Sequence, residues 1–83
     1  MDMKSRIAAN IDLAMSRAGI NNTELAREMG KDSREIRRWR SGKVTPGEEN
    51  LAAIAIGCKV EDLTWFYLPH EEEWAATAQE AAA

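Results

Sequence analysis

From Met3 to Ala18 the chain has no Gly or Pro, and Ile7, Ile11, Ala14 and Ala18 recur at spacings of three and four. Residues so spaced share one face of an α-helix, so this stretch predicts an amphipathic helix stopping at Gly19. Asn21-Asn22-Thr23-Glu24 follows, an N-cap with Glu three positions on. It opens a second helix that carries Leu25, Ala26 and Met29 and ends at Gly30. Asp32-Ser33-Arg34-Glu35 repeats the capping spacing at once and predicts a third helix, with Gly42 as its stop. Thr45-Pro46-Gly47-Glu48 is a fourth start, since proline suits the first helical position. That helix is expected to run through Leu51, Ile54, Ala55 and Ile56 to Gly57. A short fifth helix is predicted over residues 61–68, ended by Pro69. No segment alternates as a half-buried strand does. The pattern predicts an all-α fold, a compact five-helix domain over residues 1–69 followed by a tail over 70–83.

The tail differs in kind. HEEEW is acidic and AATAQEAAA is nearly featureless. Alanine favours helix, so the tail is expected to extend a helix or to fray, with only Trp74 to bury. A weak contact with a partner is the other use open to Trp74.

On the third helix, at about 100° per residue, Ile36 and Trp39 fall on one side, and Arg34, Arg37, Arg38 and Ser41 fan across the other. Two apolar residues would pin this helix to a core while three guanidiniums face outward. A planar guanidinium can grip a phosphate or the O6/N7 edge of guanine with two bonds. A solvated charged face, partly neutralised by Glu35 and neighbouring acids, would look similar.

Charge sharpens the choice. Residues 31–43 read KDSREIRRWRSGK and hold six of the eleven Lys and Arg of an 83-residue chain whose net charge is −3. This window carries +4 and the remainder −7. An acidic protein has gathered its positive charge on one stretch, as a surface built to meet a polyanion does. From residue 61 onward there are six carboxylates and no Lys or Arg, so that region is expected to lie away from the polyanion.

The segment TELAREMGKDSREIRRWRSGKVTP, with its Leu25-Ala26, Gly30, Ile36, Trp39 and Gly42-Lys43…Pro46 landmarks in order, strongly resembles the lambda-repressor-like (Cro/C1-type, XRE) family of helix-turn-helix DNA-binding domains. The resemblance covers roughly residues 7–67. It implies that Ser33 and Arg34, with Glu35 beside them, touch base edges in the major groove. It also implies that Arg38 reaches a base or a neighbouring phosphate, with Arg37 and Ser41 on the same outward side. Asn22, with Thr23 next to it, occupies a position where the family usually has Gln, a residue that buttresses a phosphate and a base-reading side chain. Lys43 and the backbone near Thr45 fall in the loop that contacts phosphate. Three departures stand out. Lys31 sits at a turn position that is usually apolar, so its stem is expected to lie over the core. Arg40 replaces a commonly acidic residue. The fourth helix looks short, which leaves the register of Leu51, Ile54 and Ile56 open.

These features predict a sequence-specific, double-stranded DNA-binding transcription regulator, of the phage Cro or immunity-repressor kind. One small helix-turn-helix covers little DNA, so a homodimer on half-sites about 34 Å apart is expected. Trp65, Phe66, Tyr67 and Leu68 are the candidate dimer interface, because four adjacent large residues on a helix cannot all face one core. An antitoxin is the alternative, holding a small protein partner with this C-terminal segment. A protein-interaction module that no longer binds DNA is a third.

Other chemistry is sparse. The single cysteine, Cys58, makes neither a disulfide nor a zinc site and is expected to fill core space near the end of the fourth helix. Met15 and Met29 read as core, His70 as a lone surface residue, and Glu71, Glu72 and Glu73 as a solubilising run. No nucleophile–base pair, metal spacing or glycine-rich phosphate loop occurs, so no catalytic, metal or cofactor site is expected. The N-terminus MDMKSRIAAN has no apolar core of a leader, and no run approaches the roughly 20 residues that span a bilayer. A cytoplasmic location follows as an expectation.

Overall fold

In the computed structural model the backbone is described for residues 1–82 and the side chains for residues 1–77, and Ala83 lies outside the described residues. Five α-helices form, with one 3-10 helix between the last two: α1 Met3–Ala18, α2 Asn22–Met29, α3 Ser33–Ser41, α4 Glu48–Cys58, the 3-10 helix Leu63–Tyr67, and α5 Glu71–Ala82. No strand occurs among the described residues.

Two of the predicted starts, at Asn21 and Asp32, are real caps, and Asp2, which the spacing does not mark, caps α1. The fourth start differs, since α4 begins only at Glu48, with Gly47 in the cap position, no side-chain cap bond, and Pro46 before the helix rather than in its first turn. Asp2 accepts from the Ser5 N–H at 2.8 Å to open α1. Asn21 and Glu24 exchange bonds of 2.8 and 3.1 Å across the first turn of α2. Asp32 opens α3 through the Arg34 N–H at 2.8 Å. Each bond satisfies a donor that the helix itself leaves unpaired.

One core joins these elements. Ile7, Ile11, Ala14 and Met15 of α1 meet Leu25 and Ala26 of α2, Ile36 and Trp39 of α3, and Leu51, Ile54, Ala55 and Cys58 of α4, with Phe66 beside them. Ala18, placed on the α1 stripe by its spacing, is exposed. Met29 packs against the core from a half-buried position. Burial pushes the Cys58 thiol up to about 11, which keeps it protonated and unreactive.

Four further expectations need correction. Ile56 is not core but 81% exposed. Two residues on from Ile54 it is turned about 200° around the axis, and the buried face is Leu51, Ile54, Ala55 and Cys58. Gly57 is not a stop, because α4 continues through it to Cys58 and ends at Lys59 in a left-handed conformation. A Cβ on Gly57 would lie 2.7 Å from Leu25 Cδ1 and 3.1 Å from Glu28 Oε2, so glycine is there to let α2 pack closely. Residues 61–68 form only a single 3-10 helix, and the fifth α-helix lies in the tail. Finally, Trp74 is drawn into the fold rather than left for a partner.

Asn10 explains the last two corrections. It is fully buried, and its Nδ2 donates to the Phe66 carbonyl at 2.9 Å and the Leu68 carbonyl at 2.8 Å. Its Oδ1 accepts from Trp74 Nε1 at 2.9 Å. Arg6 Nη1 donates to the Tyr67 carbonyl at 3.1 Å, and His70 Nε2 lies 2.9 Å from the Trp65 carbonyl, its ring stacked on Trp65 at 4.4 Å. Four successive carbonyls are thus satisfied by side chains, so the chain can leave the 3-10 helix without continuing as α. His70 is therefore a structural residue with a mostly buried side chain. Arg17 adds an ion pair to Glu73 at 3.0 Å, joining α5 to α1.

Three outcomes follow from Asn10 and from the caps, which include Asp62, whose carboxylate accepts the Thr64 N–H at 2.9 Å to open the 3-10 helix. Asn10→Leu leaves two carbonyls and an indole N–H without partners and is expected to cost roughly 2–4 kcal/mol in denaturant unfolding. Trp74→Phe is expected to cost about 1–2 kcal/mol and to expose α5 to limited proteolysis. The carboxyls of Asp2, Asp32 and Asp62 all titrate below their ordinary value of 3.8, Asp2 and Asp62 chiefly through a backbone N–H bond and Asp32 chiefly through the Arg34 side chain. Because the folded values are depressed, the stability they contribute is complete above about pH 4 and is lost as the pH falls toward about 2, the folded value for Asp32. Changing all three to Asn keeps the caps but removes the titration. An acid titration followed by circular dichroism should show the triple variant losing less stability over that interval than the parent.

Candidate nucleic-acid interface

Between α2 and α3 lie only Gly30, Lys31 and Asp32. Gly30 has φ +67°, a left-handed conformation that side chains resist, and this reversal lets the Lys31 N–H close on the Ala26 carbonyl at 2.8 Å. Leu25 and Ala26 of α2 then face Ile36 and Trp39 of α3 in the core. Lys31 itself is exposed.

The two anchors settle the orientation of α3. Ile36 is 0% and Trp39 2% exposed, and they are the buried residues of this helix. Arg34, Arg37, Arg38 and Ser41 are all exposed, as the helical geometry predicts, and Thr23 and Lys43 are exposed nearby in sequence. Ser33, Glu35 and Asn22 are half-buried. Gly42 caps α3 in a left-handed conformation, and the Lys43 N–H returns to the Arg38 carbonyl at 3.1 Å. Buried Pro46 holds the far end of that loop. Lys43 is thus displayed beside the C-terminal end of α3. Ser41 Oγ donates to the Arg38 carbonyl at 3.0 Å and keeps only its acceptor capacity for another molecule.

The cations of the basic window fall into three groups by their partners. Among the described residues Arg37, Arg38 and Lys43 have no ion pair. Arg40 has partners on all three of its guanidinium nitrogens. Its Nε donates to Asp12 Oδ1 of α1 at 2.7 Å, its Nη2 pairs with the same carboxylate, and its Nη1 donates to Asn22 Oδ1 at 2.8 Å. Lying only about 40° around the axis from Ile36, Arg40 is directed along the protein rather than out of it. It ties together the first three helices. This also narrows the role of Asn22, whose oxygen is occupied and whose amide N–H groups remain as donors.

Arg34 forms a third case. Its side chain folds back on the cap of its own helix, Nε to Asp32 Oδ1 at 3.2 Å and Nη2 to Asp32 Oδ2 at 2.9 Å. The Arg34 guanidinium, with the Arg34 N–H, holds the Asp32 carboxyl down at about 2, and the same pairing raises Arg34. Asp32 is therefore ionised at any physiological pH. Sequence spacing marks Asp32 as a cap, but its grip on Arg34 is visible only in the structure. Asp12 likewise carries no signal in the sequence, since its partner is 28 residues away.

Of the four candidate dimer residues, Phe66 is withdrawn, because its ring is fully buried in the core. Trp65 is half-buried, packed on the core and against His70. Tyr67 and Leu68 are exposed. Among the described residues the acidic α5 touches α1 and not α3, so Glu71, Glu72 and Glu73 are held off the basic face. No helix among the described residues is long and apolar enough to cross a membrane.

The arrangement is a pair of short helices in fixed relation, the second presenting exposed cations on a rigid face. No curated protein and no solved structure matches the chain significantly. A family model described as a helix-turn-helix does match, over residues 13–66, which takes in α2, α3, α4, the last six residues of α1 and most of the 3-10 helix. The chain belongs to this Cro/C1-type helix-turn-helix family, whose members are DNA-binding transcription regulators.

Proposed function

We propose that the chain is a sequence-specific regulator that lays α3 in the major groove of double-stranded DNA, acting in the cytoplasm as a repressor of the phage Cro or immunity kind. The observation that carries this is the cation-bearing outer face of α3, locked in place by Ile36 and Trp39. Arg37, Arg38 and Lys43, whose side chains have no partner among the described residues, supply phosphate attraction. In this reading Ser33 and Arg34 at the start of the helix, with Glu35 on its flank, reach base edges, and the Asn22 amide and Thr23 hydroxyl the adjoining backbone. Ser41 extends the same face by one turn.

A single domain of this size covers one half-site, so two copies are expected on a (pseudo)palindromic operator. Tyr67 and Leu68 are the exposed residues of the candidate interface. The antitoxin reading lacks comparable support, since Trp65, Phe66 and Trp74 are engaged within the chain itself.

If each of two protomers neutralises three phosphates, log affinity should fall with log salt with a slope of about −5. A flat response in a gel-shift titration is incompatible with this mechanism. Lys43→Ala is expected to weaken all duplexes similarly and to reduce the slope by about 1 per contact. Arg34→Ala is expected to cost about 1–3 kcal/mol and to relax preference at one base position. Sedimentation of the protein on a symmetric duplex should give two protomers per duplex, and a single bound protomer would remove the dimer.

A further inference from the structure

We propose that Asp32 is a positioning residue through which Arg34 reads a guanine, its carboxylate holding the side edge of the guanidinium and leaving the end edge for the base. This inference rests on the DNA-binding reading of α3 and assigns one of its contacts.

A guanidinium has five N–H groups in a fixed fork. Asp32 takes two of them along the side edge, one on Nε at 3.2 Å and one on Nη2 at 2.9 Å. The remaining three are both N–H groups of Nη1 and the outer one of Nη2. Two of these, one on each terminal nitrogen, project in parallel from the end of the fork. Parallel donors on one plane match the O6 and N7 acceptors of guanine in the major groove. Adenine offers an amino group where guanine has O6, so one donor would meet another donor. The pair stands in the first turn of α3, with the Arg34 side chain 76% exposed, so nothing in the fold covers the end edge.

The carboxylate is itself immobilised. Asp32 Oδ1 also accepts the Arg34 backbone N–H at 2.8 Å, so one group caps the helix and orients the guanidinium against the same residue. An exposed ion pair contributes little to stability in water, so its use lies in geometry. A pre-set guanidinium has less rotamer freedom to lose on binding. The adjacent negative charge also offsets its attraction for phosphate, which turns Arg34 toward a base. Among the described residues Arg37 and Arg38 have no carboxylate in ion-pair contact, Asp32 acting on Arg38 only through its field, and this sorts the outward arginines of α3 into one base reader and two phosphate contacts.

The test uses the full chain and a pool of random duplexes. The duplex selected by the parent protein is resynthesised with 7-deazaguanine, which lacks the N7 acceptor, at each guanine in turn. Asp32→Asn keeps a good N-cap and loses the charge, and its melting temperature shows whether the fold is intact. The parent is expected to lose binding about tenfold at one deazaguanine position. In Asp32→Asn that position should matter clearly less, while binding to an unrelated duplex holds or tightens. In an Arg34→Ala background, adding Asp32→Asn should change nothing further. Asp32→Ser, which also caps, should behave as Asp32→Asn does. The assignment is overturned if Asp32→Asn keeps the parent's deazaguanine sensitivity, or if its effect persists without Arg34, as a cap-only role requires. A parent that selects a site with no sensitive guanine also overturns it and leaves DNA binding standing. A parent that retains no duplex overturns the DNA-binding reading itself.

Discussion

Everything this molecule can present to another depends on how two side chains of α3 are buried. Ile36 and Trp39 are its whole contribution to the core, and α3 spans only residues 33–41. A helix this short has marginal stability by itself, so its position comes from tertiary packing. Once those residues lie against Leu25 and Ala26, the direction of every other residue follows from the helical repeat. The charged face is therefore as rigid as the core beneath it, which is what a surface needs if it is to match fixed base edges. Arg40 reinforces the same geometry from the edge by joining Asp12 and Asn22.

Charge is organised by a similar logic. The basic window reads as one patch, yet its arginines differ in availability. Arg40 is spent within the fold, Arg34 is held by its own helix cap, and the side chains of Arg37 and Arg38 have no partner among the described residues. Within about one Debye length, roughly 8 Å at physiological salt, the local field matters more than the net charge of −3. Docking of α5 on α1 keeps the acidic run on a separate element from the cations. An acidic protein can therefore carry a face suited to a polyanion.

Asn10 has the corresponding role on the other side of α1. A buried amide is costly unless its bonds are made, and here its donors and acceptor find the Phe66 and Leu68 carbonyls and the Trp74 indole. This network converts the aromatic segment from an apparent surface excess into a seam. It accounts for Phe66 in the core and for the 3-10 geometry of Leu63–Tyr67, and it turns the tail from an appendage into a docked helix.

The sequence by itself determined the first four helices, the caps at Asn21 and Asp32, most of the core, and the outward face of α3. Those features depend on spacing of three and four residues, on capping side chains and on left-handed glycines, all of which act within a turn or two of chain. It misjudged Gly57, whose neighbour is Leu25, and Ile56, where an apolar residue sits on the wrong side of a helix that is apolar nearly all round. Only the tertiary structure decided the partners of Asn10, Arg40 and Arg6, the burial of Phe66 and the docking of Trp74. Those contacts join residues 18 to 64 positions apart, and no local pattern records which distant segments will meet. The hold of Asp32 on Arg34 is the instructive exception. The two residues are only two positions apart, but a carboxylate at that position is fully accounted for as a cap, and its second use is fixed by the side-chain geometry.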